Sequence, residues 1–186
     1  MPIFIEHCKW ASKAHIIKIK PGEKQKNLRT CEIIWSQLLK FNADRRSLLI
    51  NLGGGVISDL GSFCASVYKR GIDFVNIPTT LLAMVDAAIG GKTGINFLNL
   101  KNNIGSFYFP KGIFVYPDYL KTLPHSQNLN GRSEMYKIAL LTSKKMLQEL
   151  ISSGEKINEH LISECIFQKN KLVNKDPNEK NIRKIF

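Results

Sequence analysis

Three consecutive glycines at residues 53–55 directly follow an apolar run at residues 47–52, and this pair of features most restricts the fold. A short apolar run bounded by turn residues predicts a buried β-strand. Residues 56 to about 69 carry Leu60, Phe63, Cys64 and Val67 at helical spacing, which predicts a helix. A second strand is predicted at residues 74–77, closed by Pro78. A strand, a helix and a strand in this order predict parallel pairing in an α/β layer.

Shorter signals extend this pattern in both directions. A strand is predicted at residues 15–19, a turn at Pro21-Gly22, and a helix from there to about residue 40. Apolar residues at helical spacing mark one face of that helix: Ile33, Ile34, Leu38 and Leu39. A short helix is predicted at residues 80–88 and a last strand at residues 113–116.

Strand signals end near Leu123-Pro124. Helices are predicted beyond that point at residues 133–150 and 160–173, separated by Gly154. We therefore expect a Rossmann-like domain with a parallel sheet at residues 1–123. The start of an all-helical domain is expected at residues 124–186.

Composition narrows the class of protein. The chain has 186 residues, of which 44% are hydrophobic, so it is long enough for a substantial core. It lacks both a run of roughly 20 apolar residues that could span a membrane and a signal-peptide pattern at the N-terminus. We expect no membrane association and a cytoplasmic location. The four cysteines are far apart, which favours free thiols over a metal site or a disulfide: Cys8, Cys31, Cys64 and Cys165.

The formal net charge of +12 suggests an anionic partner. A basic nucleic-acid-binding surface is one interpretation. The Lys and Arg residues are spread along the chain and do not alternate with aromatic residues in a recognition pattern. We therefore expect no nucleic acid, and favour attraction of anionic small molecules.

The glycine turn predicts a phosphate site. Glycines at the end of a parallel strand allow backbone to approach a phosphate, and the next helix offers free N–H groups and a positive dipole end. Asp59 is expected in the first turn of that helix, where it could contact a ribose or a nicotinamide. A tight turn without a ligand is the alternative. Thr79 and Thr80 follow the second strand, where hydroxyls either cap a helix or hold a ligand.

A polar cluster follows within a glycine-rich stretch: Asp86, Lys92, Lys101 and Asn102. Gly90 and Gly91 lead directly into Lys92. This arrangement would place the lysine on a tight turn, where its ammonium can bind an anion. Glu134 and Lys137 are three residues apart on a predicted helix and share a face, either as site residues or as a surface ion pair. The four histidines lack a metal-ligand spacing: His7, His15, His125 and His160.

Together these residues resemble the 3-dehydroquinate synthase family from the PGEKQK segment near residue 21 to about residue 183. The resemblance includes GGGVISD, PTTLL, GGKTGINFLNLKNN and GRSEMYK. It implies binding of NAD and a divalent metal, zinc or cobalt, between an α/β domain and a helical domain. The reaction it implies is a lyase step of the shikimate pathway of aromatic amino acid biosynthesis. A seven-carbon keto-acid phosphate becomes 3-dehydroquinate through transient oxidation, phosphate elimination, re-reduction and ring closure.

The resemblance also implies roles for individual residues. Expected NAD contacts are Pro21, Gly22, Glu23, Lys24, Gln25, Lys26, Gly54, Gly55, Val56, Ile57, Ser58, Asp59, Thr79, Thr80, Leu82, Lys92, Lys101, Tyr119, Leu120, Lys121 and Thr122. Expected catalytic and substrate-binding residues are Asp86, Lys92, Asn102, Lys137 and Arg70, the last reaching the substrate phosphate of a neighbouring subunit in a homodimer. Glu134 is the one expected metal ligand.

Some positions depart from the family pattern. Ser58 replaces a glycine of the GGGVxGD loop, and the segment at residues 96–102 lacks the His and Gly of NHPLGKN. An upstream nucleotide-binding strand and a downstream G-H-T-x-x-H segment with two metal-ligating histidines are not found. Since catalytic zinc takes three protein ligands, the resemblance implies a chain truncated at both ends and inactive unless completed.

Other functions stay open from the sequence. One is another sugar-phosphate cyclase, or a metal-dependent alcohol or glycerol dehydrogenase. The set Lys92, Lys101, Asn102, Glu134 and Lys137 disfavours the dehydrogenases. The other is a non-catalytic remnant that binds a nucleotide or a protein partner.

Overall fold

The computed structural model describes residues 13–154 and 156–185. Its central sheet has three parallel strands in the order β1, β2, β5. Strand β1 (Leu48–Gly53) pairs with β2 (Asp73–Pro78) along its whole length, and β2 pairs with β5 (Gly112–Ile113). The predicted parallel α/β layer is therefore confirmed.

Helix α1 (Leu28–Lys40) begins after Asn27, whose side chain accepts a hydrogen bond from the Thr30 amide at 3.0 Å. The predicted helix is confirmed, but only half of its predicted apolar stripe is buried. Ile34 and Leu38 lie in the core, whereas Ile33 and Leu39 are at least half exposed. The buried face is completed by Thr30 and Cys31.

Helix α2 (Gly55–Val67) follows the glycine turn and packs on the sheet. Its buried face includes Leu60, Phe63 and Cys64, as predicted, whereas Val67 is 45% exposed. A short 3-10 turn, Tyr68–Arg70, leads to β2.

An antiparallel hairpin, which the sequence did not suggest, packs against α2. It consists of β3 (Lys92–Phe97) and β4 (Leu100–Phe107). Leu98 and Asn99 form its tip with positive φ angles of 46° and 65°, as in a two-residue hairpin loop. Its glycines and asparagines obscure the alternation that would mark strands.

The C-terminal part is helical, as expected. Helices α3 (His125–Thr142) and α4 (Lys144–Ser152) replace the single helix predicted at residues 133–150, because Ser143 adopts extended backbone and caps α4. Helix α5 (Glu159–Lys175) confirms the last prediction. These helices bury their apolar faces on Leu81, Met84 and Val85, around a π-helical turn, Ala83–Ala87. The short helix predicted at residues 80–88 is confirmed.

Three sequence predictions were wrong in detail. Residues 15–19 are not a strand, because the described chain offers them no ladder partner. The last strand spans only Gly112–Ile113 rather than residues 113–116. Strand β1 is only partly buried, because it lies at one edge of the described three-stranded sheet.

The structure bears on two expectations from composition, the state of the cysteines and the lack of a membrane-spanning helix. Cys31, Cys64 and Cys165 are buried free thiols, and Cys8 lies outside the described residues. Among the residues that the structure describes, none of the helices has the length and apolar character needed to cross a membrane.

Candidate active site

The glycine turn joins β1 to α2 at the carboxyl edge of the sheet. Gly53 ends β1, Gly54 is the N-cap residue, and α2 begins at Gly55. The cap has no side-chain hydrogen bond, and the first N–H groups of a helix have no acceptor within it. The turn therefore presents free donors and the positive end of the helix dipole, a suitable arrangement for a diphosphate.

The turn needs glycine because of close packing rather than positive φ. A Cβ on Gly54 would lie 2.9 Å from Thr80 Cγ2, and one on Gly55 would lie 3.2 Å from Ala87 Cβ. Thr80 Oγ1 accepts a hydrogen bond from the Ala83 amide at 3.3 Å, so Thr80 does cap the following turn. The Thr79 amide donates to Gly53 O at 2.9 Å. Both the tight turn and the open N–H groups are thus features of this site.

A cavity of ≈ 980 Å³ runs along β1 and reaches the residues next to this turn, although the three glycines are not part of its lining. Its lining includes five residues expected to contact NAD: Ile57, Thr79, Thr80, Tyr119 and Thr122. They come from α2, the end of β2 and the turn Pro117–Thr122, three segments that are distant in sequence. Carboxyl ends of parallel strands are where ligands bind in open α/β sheets.

Lys26 joins the PGEKQK segment to α2 and the hairpin. Its buried ammonium donates to the Asp59 carboxylate and to the side-chain oxygen of Asn102. Asn96 strengthens the junction with two hydrogen bonds. Its side-chain Nδ2 donates to Glu23 Oε1 at 2.9 Å, and its backbone N–H donates to Lys26 O at 2.8 Å.

Asp59 is placed differently from the prediction, one turn into α2 rather than in its first turn, because the helix begins at Gly55. Burial raises the pKa of Asp59 to about 6, more than the adjacent Lys26 ammonium lowers it. The carboxyl group is therefore poised to change charge near neutral pH.

A second cavity of ≈ 540 Å³ brings together Asp59, Asp86, Lys92 and Asn102. Lys92 and Asp86 do not pair with each other but with residues outside this set. Lys92 forms an ion pair with Glu179, and Asp86 forms one with Lys169.

Sequence reasoning missed three residues of this cavity: Lys169, Glu179 and Arg183. Lys169 lies on the buried face of α5 with Cys165 and Val173, so a lysine at a core position of a helical pattern was the available signal. Arg183 is 1% exposed and donates to Gly90 O at 2.7 Å and Pro177 O at 2.8 Å. Burial lowers the pKa of Arg183, and its Nε is buried without a hydrogen-bond partner.

Glu134 and Lys137 share a face of α3, as predicted, with 2.8 Å between Oε1 and Nζ. Glu134 lies close enough to α5 for its charge to help raise the pKa of Cys165 to about 12, although burial is the main cause. No group of three His, Cys, Asp or Glu side chains within residues 13–154 and 156–185 could hold a metal ion. The described donor set therefore does not fit a divalent metal.

Other predicted residues lie outside the two cavities. Lys101 is exposed on β4 and is not part of either described lining. Arg70 is exposed in the turn before β2. The six residues of β2 separate it from the glycine turn by about 20 Å along the sheet. Within one chain Arg70 is thus distant from the glycine turn, and it is not part of the lining of either cavity.

Other predicted NAD contacts are not part of the lining of the first cavity. Pro21, Gly22, Glu23 and Lys24 are exposed on a turn, with Gln25 half-buried. Lys121 forms an exposed ion pair with Asp118 at 2.8 Å.

Comparison with known proteins gives consistent matches. The family model described as 3-dehydroquinate synthase N-terminal matches residues 16–130. The 3-dehydroquinate synthase of Parabacteroides distasonis is 43% identical over 177 residues, covering 92% of this chain and 50% of that protein. The chain spans about half the length of the curated relatives it matches.

Solved structures share the fold. ValA, a 2-epi-5-epi-valiolone synthase from Streptomyces hygroscopicus subsp. jinggangensis 5008 with NAD+ and Zn2+ bound, superposes with a TM-score of 0.90 at 26% identity, covering 99% of this chain and 55% of that one. A 2-deoxy-scyllo-inosose synthase complexed with carbaglucose-6-phosphate, NAD+ and Co2+ has a TM-score of 0.83 at 25% identity, covering 100% and 54%.

Proposed function

The chain belongs to the 3-dehydroquinate synthase family, and from that premise we propose that it is the NAD-binding half of such an enzyme. The proposed reaction converts 3-deoxy-D-arabino-heptulosonate 7-phosphate to 3-dehydroquinate and phosphate. One observation carries the proposal: three distant segments that resemble the family's nucleotide-binding segments converge on a single cavity, which extends along β1 to the carboxyl end of the sheet.

In this proposal NAD binds in the first cavity. The free N–H groups at the start of α2 bind its diphosphate, and Thr79, Thr80, Tyr119 and Thr122 line the remaining length. Bound NAD would supply a hydride acceptor that later returns the hydride. Lys26, through Asp59 and Asn102, holds the turn, helix and hairpin together beside it.

The second cavity takes the anionic substrate. Its lining has three basic side chains, Lys92, Lys169 and Arg183, of which two are buried, and three carboxylates that partly neutralise them. A phosphate or carboxylate bound there would replace the Glu179 carboxylate as the partner of the Lys92 ammonium. Buried cations interact strongly with anions because little water screens them. Lys137 is a further proposed substrate contact, although neither Lys137 nor Lys101 is part of the lining of this cavity.

A divalent metal, zinc or cobalt, belongs to the proposal only through Glu134. One carboxylate does not make a catalytic metal site, and the described residues do not supply further ligands. The chain alone is therefore expected to bind zinc weakly and to release no phosphate from the substrate.

The assembly in this proposal is a cytoplasmic homodimer. Arg70 lies about 20 Å from the glycine turn within the chain, which suits a residue that serves a neighbouring subunit. Nucleic acid and membranes are not expected partners.

Relatives on the same scaffold close different sugar phosphates. The Parabacteroides distasonis 3-dehydroquinate synthase is 43% identical to this chain, whereas the two cyclase structures are 25% and 26% identical. This difference favours 3-dehydroquinate formation over the other cyclizations.

A chimera tests the proposal. Residues 16–185 would replace the aligned half of the Parabacteroides distasonis enzyme. NAD-dependent phosphate release from the seven-carbon substrate is expected, together with its loss in the Lys92→Met chimera. A folded chimera that binds NAD and releases no phosphate would refute the substrate assignment.

A further inference from the structure

A chain of polar side chains lies inside the apolar core between the sheet and α2. Asn51 on β1 and Asn76 on β2 are opposite each other in the parallel ladder, and Ser62 is on α2. All three are at most 3% exposed. Asn51 Nδ2 donates to Asn76 Oδ1 at 2.9 Å and to Ser62 Oγ at 3.2 Å. Buried amides cost free energy unless they are hydrogen-bonded, so these contacts hold one another in place.

The core is shaped to admit these amides. A Cβ on Gly61 would lie 1.9 Å from Asn51 Oδ1, so the space occupied by the Asn51 side chain depends on glycine at position 61. Gly61 lies in the middle of α2, where glycine destabilises a helix relative to alanine. A helical glycine at this point is therefore explained by the polar chain that it accommodates.

The polar chain ends at a backbone carbonyl next to the second cavity. Asn76 Nδ2 donates to Ala88 O at 3.3 Å. Ala88 is the C-cap of the π-helical turn that carries Asp86. Gly90 and Gly91 follow with φ angles of 102° and 67° and lead into Lys92.

A second contact restrains the same segment from the opposite direction. Gly90 O accepts a hydrogen bond from Arg183 Nη2. The carbonyls of Ala88 and Gly90 are therefore bound by the side chains of Asn76 and Arg183, respectively. Two glycines with positive φ have wide conformational freedom, so these contacts, together with the hydrogen bond from the Tyr108 amide to Gly91 O at 2.8 Å, select one conformation. The side chain of Asn76 is the contact that comes from the sheet.

We propose that Asn76, held in register by Asn51 and Ser62, is a positioning residue that fixes the turn from Ala88 to Lys92. It thereby sets where Asp86 and Lys92 lie in the second cavity. The link to substrate binding rests on the proposed function, whereas the placement of the turn does not.

Amide hydrogen exchange in the 186-residue chain tests this inference. Asn76→Asp retains the oxygen that accepts from Asn51 but replaces the donor to Ala88 O. Burial raises the pKa of such a carboxyl group, whose protonated form can still donate. At pH 8 the amides of Ala88 and Ile89 should exchange about tenfold faster than in the wild type, relative to amides of α1, and at pH 5 this excess should disappear.

Ser62→Ala is the comparison variant, because it removes the 3.4 Å hydrogen bond from Ser62 Oγ to Asn76 Oδ1 but leaves the donor from Asn76 to Ala88 O in place. The ratio of exchange rates between the turn and α1 should therefore rise much less in Ser62→Ala than in Asn76→Asp, even if global stability falls. Equal acceleration of the turn and α1 in Asn76→Asp, or an excess in Ser62→Ala as large as in Asn76→Asp, would overturn the inference.

Titration with inorganic phosphate separates this inference from the proposed function. Weaker binding is expected in Asn76→Asp at pH 8 than in Ser62→Ala, observed at the Lys92 amide. If the wild-type chain shows no response to phosphate, the proposed anion site fails. The exchange ratios still decide whether Asn76 positions the turn.

Discussion

Lys26 and Asp59, 33 residues apart in sequence, form an ion pair in which the side chains are only 5% and 21% exposed. The pair joins the PGEKQK turn to the helix that follows the three glycines, and Asn102 adds the hairpin to the same junction. It is the polar contact through which the expected nucleotide and substrate residues are held together.

Removing one member of this pair should be costly. Lys26→Met leaves the Asp59 carboxylate buried without its cation, so we expect a loss of about 3–5 kcal/mol in the free energy of unfolding at pH 8. Lys26→Met combined with Asp59→Leu should recover most of that loss. Urea denaturation measures both variants, and an additive double variant would contradict direct coupling.

The raised pKa of Asp59 predicts a pH dependence of stability. The folded state retains this proton to about pH 6, whereas the unfolded chain releases it near the ordinary aspartate pKa of 3.8. Stability therefore decreases as pH rises through this window. Relative to Asp59→Asn, the wild type should lose about 2 kcal/mol of stability between pH 4 and pH 7. A relative gain over the same interval would mean that Lys26 dominates and lowers the pKa.

The close packing of Gly54 against Thr80 predicts that a second substitution can restore lost stability. Gly54→Ala should destabilise the chain by about 1–3 kcal/mol, because the new Cβ would meet Thr80 Cγ2. Thr80→Ser deletes that methyl group and retains the capping hydroxyl, so Gly54→Ala with Thr80→Ser should regain stability. Thermal unfolding measures this recovery, and an unrecovered double variant would point to another source of strain.

Two lysines expected at the site can be compared directly. Lys92 lines the second cavity, whereas Lys101 is exposed on β4. Lys92→Met should weaken phosphate binding about tenfold, as for loss of a charged hydrogen bond, and Lys101→Met should change it less than twofold. Equal effects in a phosphate titration would indicate general attraction by the basic protein rather than a site.

The sequence predicted the β1–α2–β2 unit because its apolar periodicities change clearly at glycine and proline. It failed at the hairpin β3–β4, where Gly94, Asn102 and Gly105 interrupt the alternation. It also predicted a strand at residues 15–19, where local β propensity is not matched by a ladder partner in the described chain. Strand formation depends on a neighbour, which periodicity alone does not reveal.

The residues of the candidate site could be predicted from the sequence only in part, for a related reason. Residues next to glycines and strand ends, such as Thr79 and Lys92, have local signals. Lys169 and Arg183 reach the same cavity from a helix and a turn far along the chain. Their contribution depends on tertiary packing of α5 against the turn that carries Asp86.

The proposed nucleotide site also predicts a specific effect of Thr79. Its side chain lines the first cavity, and Thr79→Val is nearly isosteric. Calorimetry should show weaker NAD binding in Thr79→Val without a change in melting temperature. Thr142→Val, which removes a hydroxyl that donates to Ile138 O in α3, is the matched control and should bind NAD like the wild type.

The most direct measurement is a titration of the isotopically labelled chain with NAD, followed by the amide chemical shifts. We expect shifts concentrated at Gly54, Gly55, Val56 and Thr79, with the amides of α4 unchanged. Saturable shifts at those positions would locate the nucleotide at the glycine turn. Absence of saturable shifts, or shifts centred on another part of the fold, would contradict the assignment of this chain as the NAD-binding half of a 3-dehydroquinate synthase.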